Sequence, residues 1–252
     1  MLTTITLILT TLVAVIVGVL IGAIGIGGVL LVPTLTYILG LGIHVAIATA
    51  MFTYLFSGAV GALEYARQDS IRWSMALWLC LGGMPGAYLG AAMTWVTPGV
   101  ILEGLIGLLV LLSGLQALRG PSGAADSVAS LSPLPLVVIG VVTGFGSSIT
   151  GTGGPLVLIP ILIWMQVPIL TAVGLSQVIQ IPIALLATTG NLMFGRIEWL
   201  IGIGVAVLLM LGVIVGARIA HRVSRVTLKR FIAVALLLVG ASMLVRTITT
   251  LV

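Results

Sequence analysis

GIGGVLLVP, residues 25–33, sets three glycines and a proline into a run whose other residues are all aliphatic. Inside a helix, Gly is worse than Ala by about 1 kcal/mol and Pro by about 3. Lipid tolerates no lone open backbone, so a greasy stretch that weakens its own helix has to be explained. GTGGPLVLIP, residues 151–160, repeats the pattern: Gly25, Gly27, Gly28 and Pro33 are answered by Gly151, Gly153, Gly154 and Pro160.

Around these stretches the chain is overwhelmingly apolar. Hydrophobic residues make up 60% of its 252 positions, charged residues 6%, and the mean hydropathy is +1.38. No soluble domain of this length covers that much apolar surface, which makes the lipid bilayer its solvent. Apolar blocks run at 2–22, 28–41, 44–63, 73–97, 99–118, 133–149, 154–167, 169–194, 199–217 and 231–251. Helices are the expected form, because each segment must pair its own backbone groups in hydrocarbon. The N-terminus has no basic residue before Arg67 and reads as a first membrane helix, not as a cleaved leader.

The net charge of +5 is no nucleic-acid footprint. Five of the ten basic residues, Arg218, Arg222, Arg225, Lys229 and Arg230, fall in one loop, a cytoplasmic signal in a membrane protein. Cys80 stands alone, so neither a disulfide nor a cysteine metal site is expected, and nothing calls for a cofactor.

Shifted by 126 residues, the chain matches itself in order. Gly18 meets Gly144, the Gly25–Gly28 cluster meets Gly151–Gly154, and Ala46 meets Ala172. Ile71 and Trp73 meet Ile197 and Trp199, Gly86 and Gly90 meet Gly212 and Gly216, and Gly114 meets Gly240. The reading is an all-α polytopic membrane protein of two repeats with about five hydrophobic segments each: residues 1–118, a polar linker at 119–132, and 133–252. If the first two segments of each half cross an even number of times, Arg67, Arg72, Arg119 and the five loop cations share a side. Arg196 and Arg246 then lie opposite. The eight-to-two split favours that arrangement, which makes the repeats inverted, puts loop 218–230 in the cytoplasm and leaves both termini outside.

Segments 28–41 and 154–167 hold about 14 residues, too few for the roughly 20 that span a bilayer. Paired short segments broken by Gly and Pro mark a transporter's substrate site. A Gly-x-Gly-Gly turn frees the backbone from helical form, and the helix after it offers bare N–H groups and about half a positive charge. That end binds an anion without a basic side chain. Irregular backbone at this depth is allowed against protein or a polar cavity, and the glycines are expected to mark a cavity.

GIGGVLLVPTL (25–35) and GTGGPLVLIPIL (151–162) resemble the duplicated signature of the TauE/SafE sulfite exporter family. AIATA (46–50) and AVGLS (172–176) resemble its next helix start, and GRIEW (195–199) its loop ending in an acidic residue and Trp. In the first half DSIRW (69–73) carries Arg72 in the acidic place, and Ile26 stands where a third consecutive Gly belongs, so the second copy fits better. The resemblance implies movement of small sulfur-containing anions, sulfite or organosulfonates, across the inner membrane.

Other polar residues complete the candidate site. Ser147, Ser148, Thr150 and Thr152 precede the second short helix, and Ser176, Gln177, Gln180 and Asn191 lie on the helix that follows. Their hydroxyls and amides suit an anion's coordination; equally, they suit freed carbonyls, interhelical bonds or, for Asn191, a helix cap. Thr49, Thr53, Tyr54 and Ser57 hold the comparable places in the first half without an amide. Gly82–x3–Gly86–x3–Gly90 and Gly212–x3–Gly216 read as close-packing helix faces, and offer a route to a homo-oligomer. An enzyme is not expected: Ser57–Gly58 lacks a preceding Gly at the spacing a membrane serine protease needs, and no buried carboxylate pair exists. The alternatives to a carrier are an anion channel or a scaffold that moves nothing.

Overall fold

The computed structural model describes residues 4–118, 132–220 and 237–249. Arg119, Arg222, Arg225, Lys229 and Arg230 lie outside them, as does nearly all of the linker. The described residues form helices without strands: α1 Thr4–Ile24, α2 Gly27–Ile38, α3 Ile43–Ala66, α4 Trp73–Val96, α5 Gly99–Leu118, α6 Pro133–Thr150, α7 Pro155–Trp164, α8 Ile169–Phe194, α9 Trp199–Ala220 and α10 Leu237–Thr249. Six of these, α1, α3, α4, α6, α8 and α9, are long and apolar enough to cross a membrane. The chain is a multi-pass membrane protein.

The two interrupted stretches are short, as their sequence demands. At 1.5 Å per residue α2 extends about 18 Å and α7 about 15 Å, half of a bilayer's hydrocarbon core. They differ in regularity. α2 changes its hydrogen-bond pattern twice, from a 3-10 turn at Gly27–Leu30 to an α turn at Leu31–Pro33 and a π turn at Thr34–Ile38. Pro33 has no N–H to give, and the ladder beyond it widens: Leu39 N–H reaches back five residues to Thr34 O. α7 is one continuous α-helix of 10 residues with Pro155 at its first position, where the missing N–H has no helical partner to lose.

Helices cannot be driven together by hydrophobicity in lipid, and here they meet through glycine. A Cβ on Gly82, Gly86 or Gly90 of α4 would fall 2.0, 2.3 and 2.5 Å from the carbonyl oxygens of Val137, Val141 and Phe145 in α6. Both series of numbers rise together, so α4 and α6 run parallel. Likewise α1 packs along α9, with Gly18 against Leu209 and Gly22 against Val213. The Gly-x3-Gly faces read as close-packing surfaces meet helices of the same chain: Gly82, Gly86, Gly90, Gly212 and Gly216 are all buried against neighbouring backbone, and this is the packing they serve here.

Helices in equivalent places of the two repeats pair directly and run in opposite directions. Tyr54 of α3 meets Gln180 of α8, whereas Tyr65, further on in α3, meets Gly174, earlier in α8. Gly104 and Gly107 of α5 meet Thr247 and Met243 of α10, again in reversed order. Exchanging the repeats turns the α4–α6 contact into α9–α1 and leaves α3–α8 and α5–α10 in place. That is the pattern of two inverted repeats about an axis through α3 and α8.

Large aliphatic side chains such as Ile5, Leu77, Leu200 and Leu211 face outward, more than half exposed, as lipid contact requires. The interior combines large aliphatic residues such as Ile21, Leu31, Ile47 and Leu79 with buried polar ones such as Thr49, Ser147, Gln177 and Gln180. One end of the bundle joins Glu64 to Arg67 at 3.2 Å and Arg218 at 3.7 Å. The other holds Arg196, paired with Glu198 at 2.8 Å, and Arg246 over the Tyr37 ring.

Candidate functional site

α1 and α6 end alike. Gly25 and Gly151 adopt left-handed φ of +81° and +66°, and their N–H groups bond the carbonyls of Ile21 and Ser147. A left-handed glycine is the usual device for stopping a helix while satisfying its last carbonyls. In the second repeat the chain returns to positive φ at Gly153 (φ +81°) and Gly154 (φ +115°) before α7 begins. Only glycine visits these angles without strain.

The two turns lie back to back. A Cβ on Gly28 would sit 3.0 Å from Thr152 O, and one on Gly25 would strike Ile159, with Pro155 and Ser176 beyond. Tyr54 stands between the turns. Its hydroxyl donates to Gly28 O at 2.6 Å, and its ring lies against Gly153, whose Cβ would fall 2.9 Å from Cδ2. The α8 amides fasten this region to the first repeat: Gln177 Nε2 donates to Ile21 O at 2.9 Å, and Gln180 Nε2 to Tyr54 O at 3.2 Å and Ser57 Oγ at 3.1 Å. Tyr65 adds a bond from its hydroxyl to Gly22 O.

The expected open cavity is replaced by closed packing. Ser147, Gln177 and Gln180 are at most 1% exposed and Thr152 2%, so the turns meet each other and not water. A cavity of about 520 Å³ reaches the outer side of the α6–α7 corner, but its walls are hydrocarbon, among them Leu105, Phe145, Ile149 and Val157. Irregular backbone at this depth is thus covered by protein, the other arrangement that the bilayer permits.

Closure leaves polar groups unspent. The N–H groups of Gly153 and Gly154 meet no acceptor among the described residues. Ser147 Oγ, Ser148 Oγ and Gln177 Oε1 are buried without a partner. An unsatisfied buried donor costs about 1–3 kcal/mol. Bare amides at the start of α7, with the positive end of its dipole, are matched to a negative ligand.

Not every expected residue gathers there. Gly25, Gly27, Gly28, Gly151, Thr152, Gly153, Gly154, Ser176, Gln177 and Gln180 come together. Thr150 joins through its hydroxyl, which contacts Thr152 Oγ1 at 3.1 Å and also bonds Gly146 O. Pro33 and Pro160 lie further along α2 and α7 and shape those helices. Ser148 faces α4, its Cβ 2.9 Å from where Gly90 would carry one. Thr49 accepts the N–H of Glu198 at 3.1 Å, and Asn191 Oδ1 accepts from the Trp95 indole at 2.9 Å, both toward the Arg196 end. Asn191 is eleven residues, about 16 Å of helix, beyond Gln180 and does not reach the turns. Thr49 lies only two residues from Ile47, which meets Gly151, but its side chain faces Gly202 of α9. Tyr54, the residue that touches both turns, shows in the sequence only through its spacing: it stands 126 residues before Gln180.

The chain matches the family model described as sulfite exporter TauE/SafE over residues 10–243. It is 28% identical over 221 residues to a probable membrane transporter protein of Bacillus subtilis, covering 84% of this chain and 89% of that one. A probable membrane transporter protein of Xylella fastidiosa shares 28% over 215 residues, 82% of each chain. One of Methanocaldococcus jannaschii shares 28% over 170 residues, 64% of this chain and 63% of its own. No solved structure matches.

Proposed function

The chain belongs to the sulfite exporter TauE/SafE family, and from that premise we propose that it carries small anions, sulfur-containing oxyanions or organosulfonates, across the cell membrane by alternating access. The substrate meets the two glycine turns near the midplane, where the inverted repeats touch. One observation carries this reading: buried, unpaired amides at Gly153 and Gly154 head a short helix deep in the bundle. Inverted repeats supply the motion, since rocking one against the other exposes a central site to each side in turn.

The protein sits in the inner membrane with the Arg67, Arg72 and Arg218 end cytoplasmic and both termini outside, as the distribution of basic residues favours. With the interior negative, an outgoing monovalent anion gains about 2.3 kcal/mol per 100 mV. Export therefore needs no coupling ion, whereas uptake would need one.

Counterflow in proteoliposomes tests the reading against a channel or an inert scaffold. Vesicles preloaded with unlabelled sulfite should accelerate entry of labelled sulfite, with saturation. Flux that neither saturates nor responds to the trans anion contradicts a carrier.

A further inference from the structure

We infer that the two glycine turns are unequal: a single oxyanion binds at the second turn, on the amides of Gly153 and Gly154 with Ser147 Oγ as a third donor, while the first turn is structural. This rests on the transport reading above and assigns the ligand's place within it.

Three independent observations converge. First, the hydroxyls belong to one repeat only. At the 126-residue offset, Ile21, Gly22, Ile24 and Ile26 stand where the second repeat has Ser147, Ser148, Thr150 and Thr152. Second, the helices differ. α7 is a continuous α-helix of 10 residues whose peptide dipoles add, whereas α2 passes through three hydrogen-bond patterns in 12 residues and has no coherent start. Third, the space differs. Around Gly25, Gly27, Gly28, Gly151 and Gly153 an added Cβ would come within 3.0 Å of a neighbour. At Gly154 it would meet nothing nearer than 3.7 Å, and Ser147 Oγ is among what it meets, at 3.9 Å.

Ser147 is fully buried, and its hydroxyl has no partner in the closed protein. A serine in that position does nothing for the fold. It becomes useful when an acceptor arrives beside Gly154. At the first turn that space is filled by protein: Tyr54 sets its hydroxyl on Gly28 O, and a Cβ on Gly28 would already meet that hydroxyl at 3.2 Å and the ring at 3.3 Å. A sulfite-like anion, with oxygens on one face of a pyramid, offers one acceptor to each of the three donors.

Ser147→Ala and Tyr65→Phe separate the two turns, the second removing the hydroxyl bond to Gly22 O that holds the end of α1. Each is read in proteoliposomes with labelled sulfite and by thermal unfolding of the purified protein. Ser147→Ala should raise the half-saturating sulfite concentration at least 5-fold and leave the melting temperature unchanged or slightly higher, since no bond of its side chain within the protein is lost. Tyr65→Phe should lower the melting temperature yet hold half-saturation within about 2-fold. Wild-type half-saturation in Ser147→Ala, or an equal rise in Tyr65→Phe, overturns the assignment while leaving transport intact. Absence of saturable sulfite flux in the unaltered protein overturns the transport reading and the assignment with it.

Discussion

Gln180 donates its side-chain amide to the main-chain carbonyl of Tyr54 at 3.2 Å, and the two residues are 126 positions apart, the offset of the duplication itself. Each occupies the other's place in its own repeat, so the axis relating the repeats passes between them. The same amide reaches Ser57 Oγ at 3.1 Å. Hydrogen bonds between membrane helices average about 0.6 kcal/mol and seldom exceed about 1.7. Gln180→Leu removes both and should cost about 1–2 kcal/mol, measured by reversible unfolding in bicelles. Unchanged stability would mean that the α3–α8 contact does not depend on them.

Glycine contacts hold the outer helix pairs together, and their substitutions should sort by what surrounds them. A Cβ on Gly86 would fall 2.3 Å from Val141 O, and one on Gly216 2.1 Å from Val19 O. Backbone cannot move aside as a side chain can. Gly86→Leu and Gly216→Leu should prevent accumulation of folded protein, seen as loss of the monodisperse peak in detergent chromatography. Gly204 faces open space, and Gly204→Leu should leave that peak unchanged.

At the second turn the expectation is loss of transport with the protein still inserted. Gly153→Leu drives a side chain into the Tyr54 ring, and Gly154→Leu fills the space beside Ser147. Both positions also hold φ values that strain a residue with a Cβ, at roughly 1–3 kcal/mol each. Membrane fractions should contain both variants at levels near wild type, and sulfite flux should fall to background. Wild-type flux in either would remove the second turn from the pathway.

The orientation of the bundle gives a separate expectation. In a Cys80→Ala background, a membrane-impermeant thiol reagent applied to intact cells should label Arg196→Cys and spare Arg67→Cys. Both should react in broken cells. The reverse pattern would invert the topology.

Much of this was legible in the chain. The recurrence of Gly25–Gly28 as Gly151–Gly154 is visible because strict backbone demands leave few residue choices, and the shortness of α2 and α7 follows from the same breaks. What glycine faces pack against was not. Gly86 and Gly216 announce a close contact but not its partner, and the partner proved to be the other repeat. Thr49 and Asn191 were drawn toward the site by chemical type, yet helix rise carries Asn191 too far along α8 and Thr49 points from α3 toward Gly202 of α9. The closed packing also escaped the sequence. Tyr54 fills the midplane through side-chain volume and one hydroxyl bond, which no spacing rule announces.

The central claim is that the bare amides of the second turn receive an anion. Thermal unfolding of purified protein, titrated with sulfite, sulfate, thiosulfate, sulfoacetate and simple carboxylates, tests it most directly, because a ligand at 100 times its Kd adds about 2.7 kcal/mol of stability. One class of sulfur oxyanion should raise Tm in the wild type and fail to do so in Gly154→Leu. Equal shifts in both proteins, or no shift with any anion, would contradict the account.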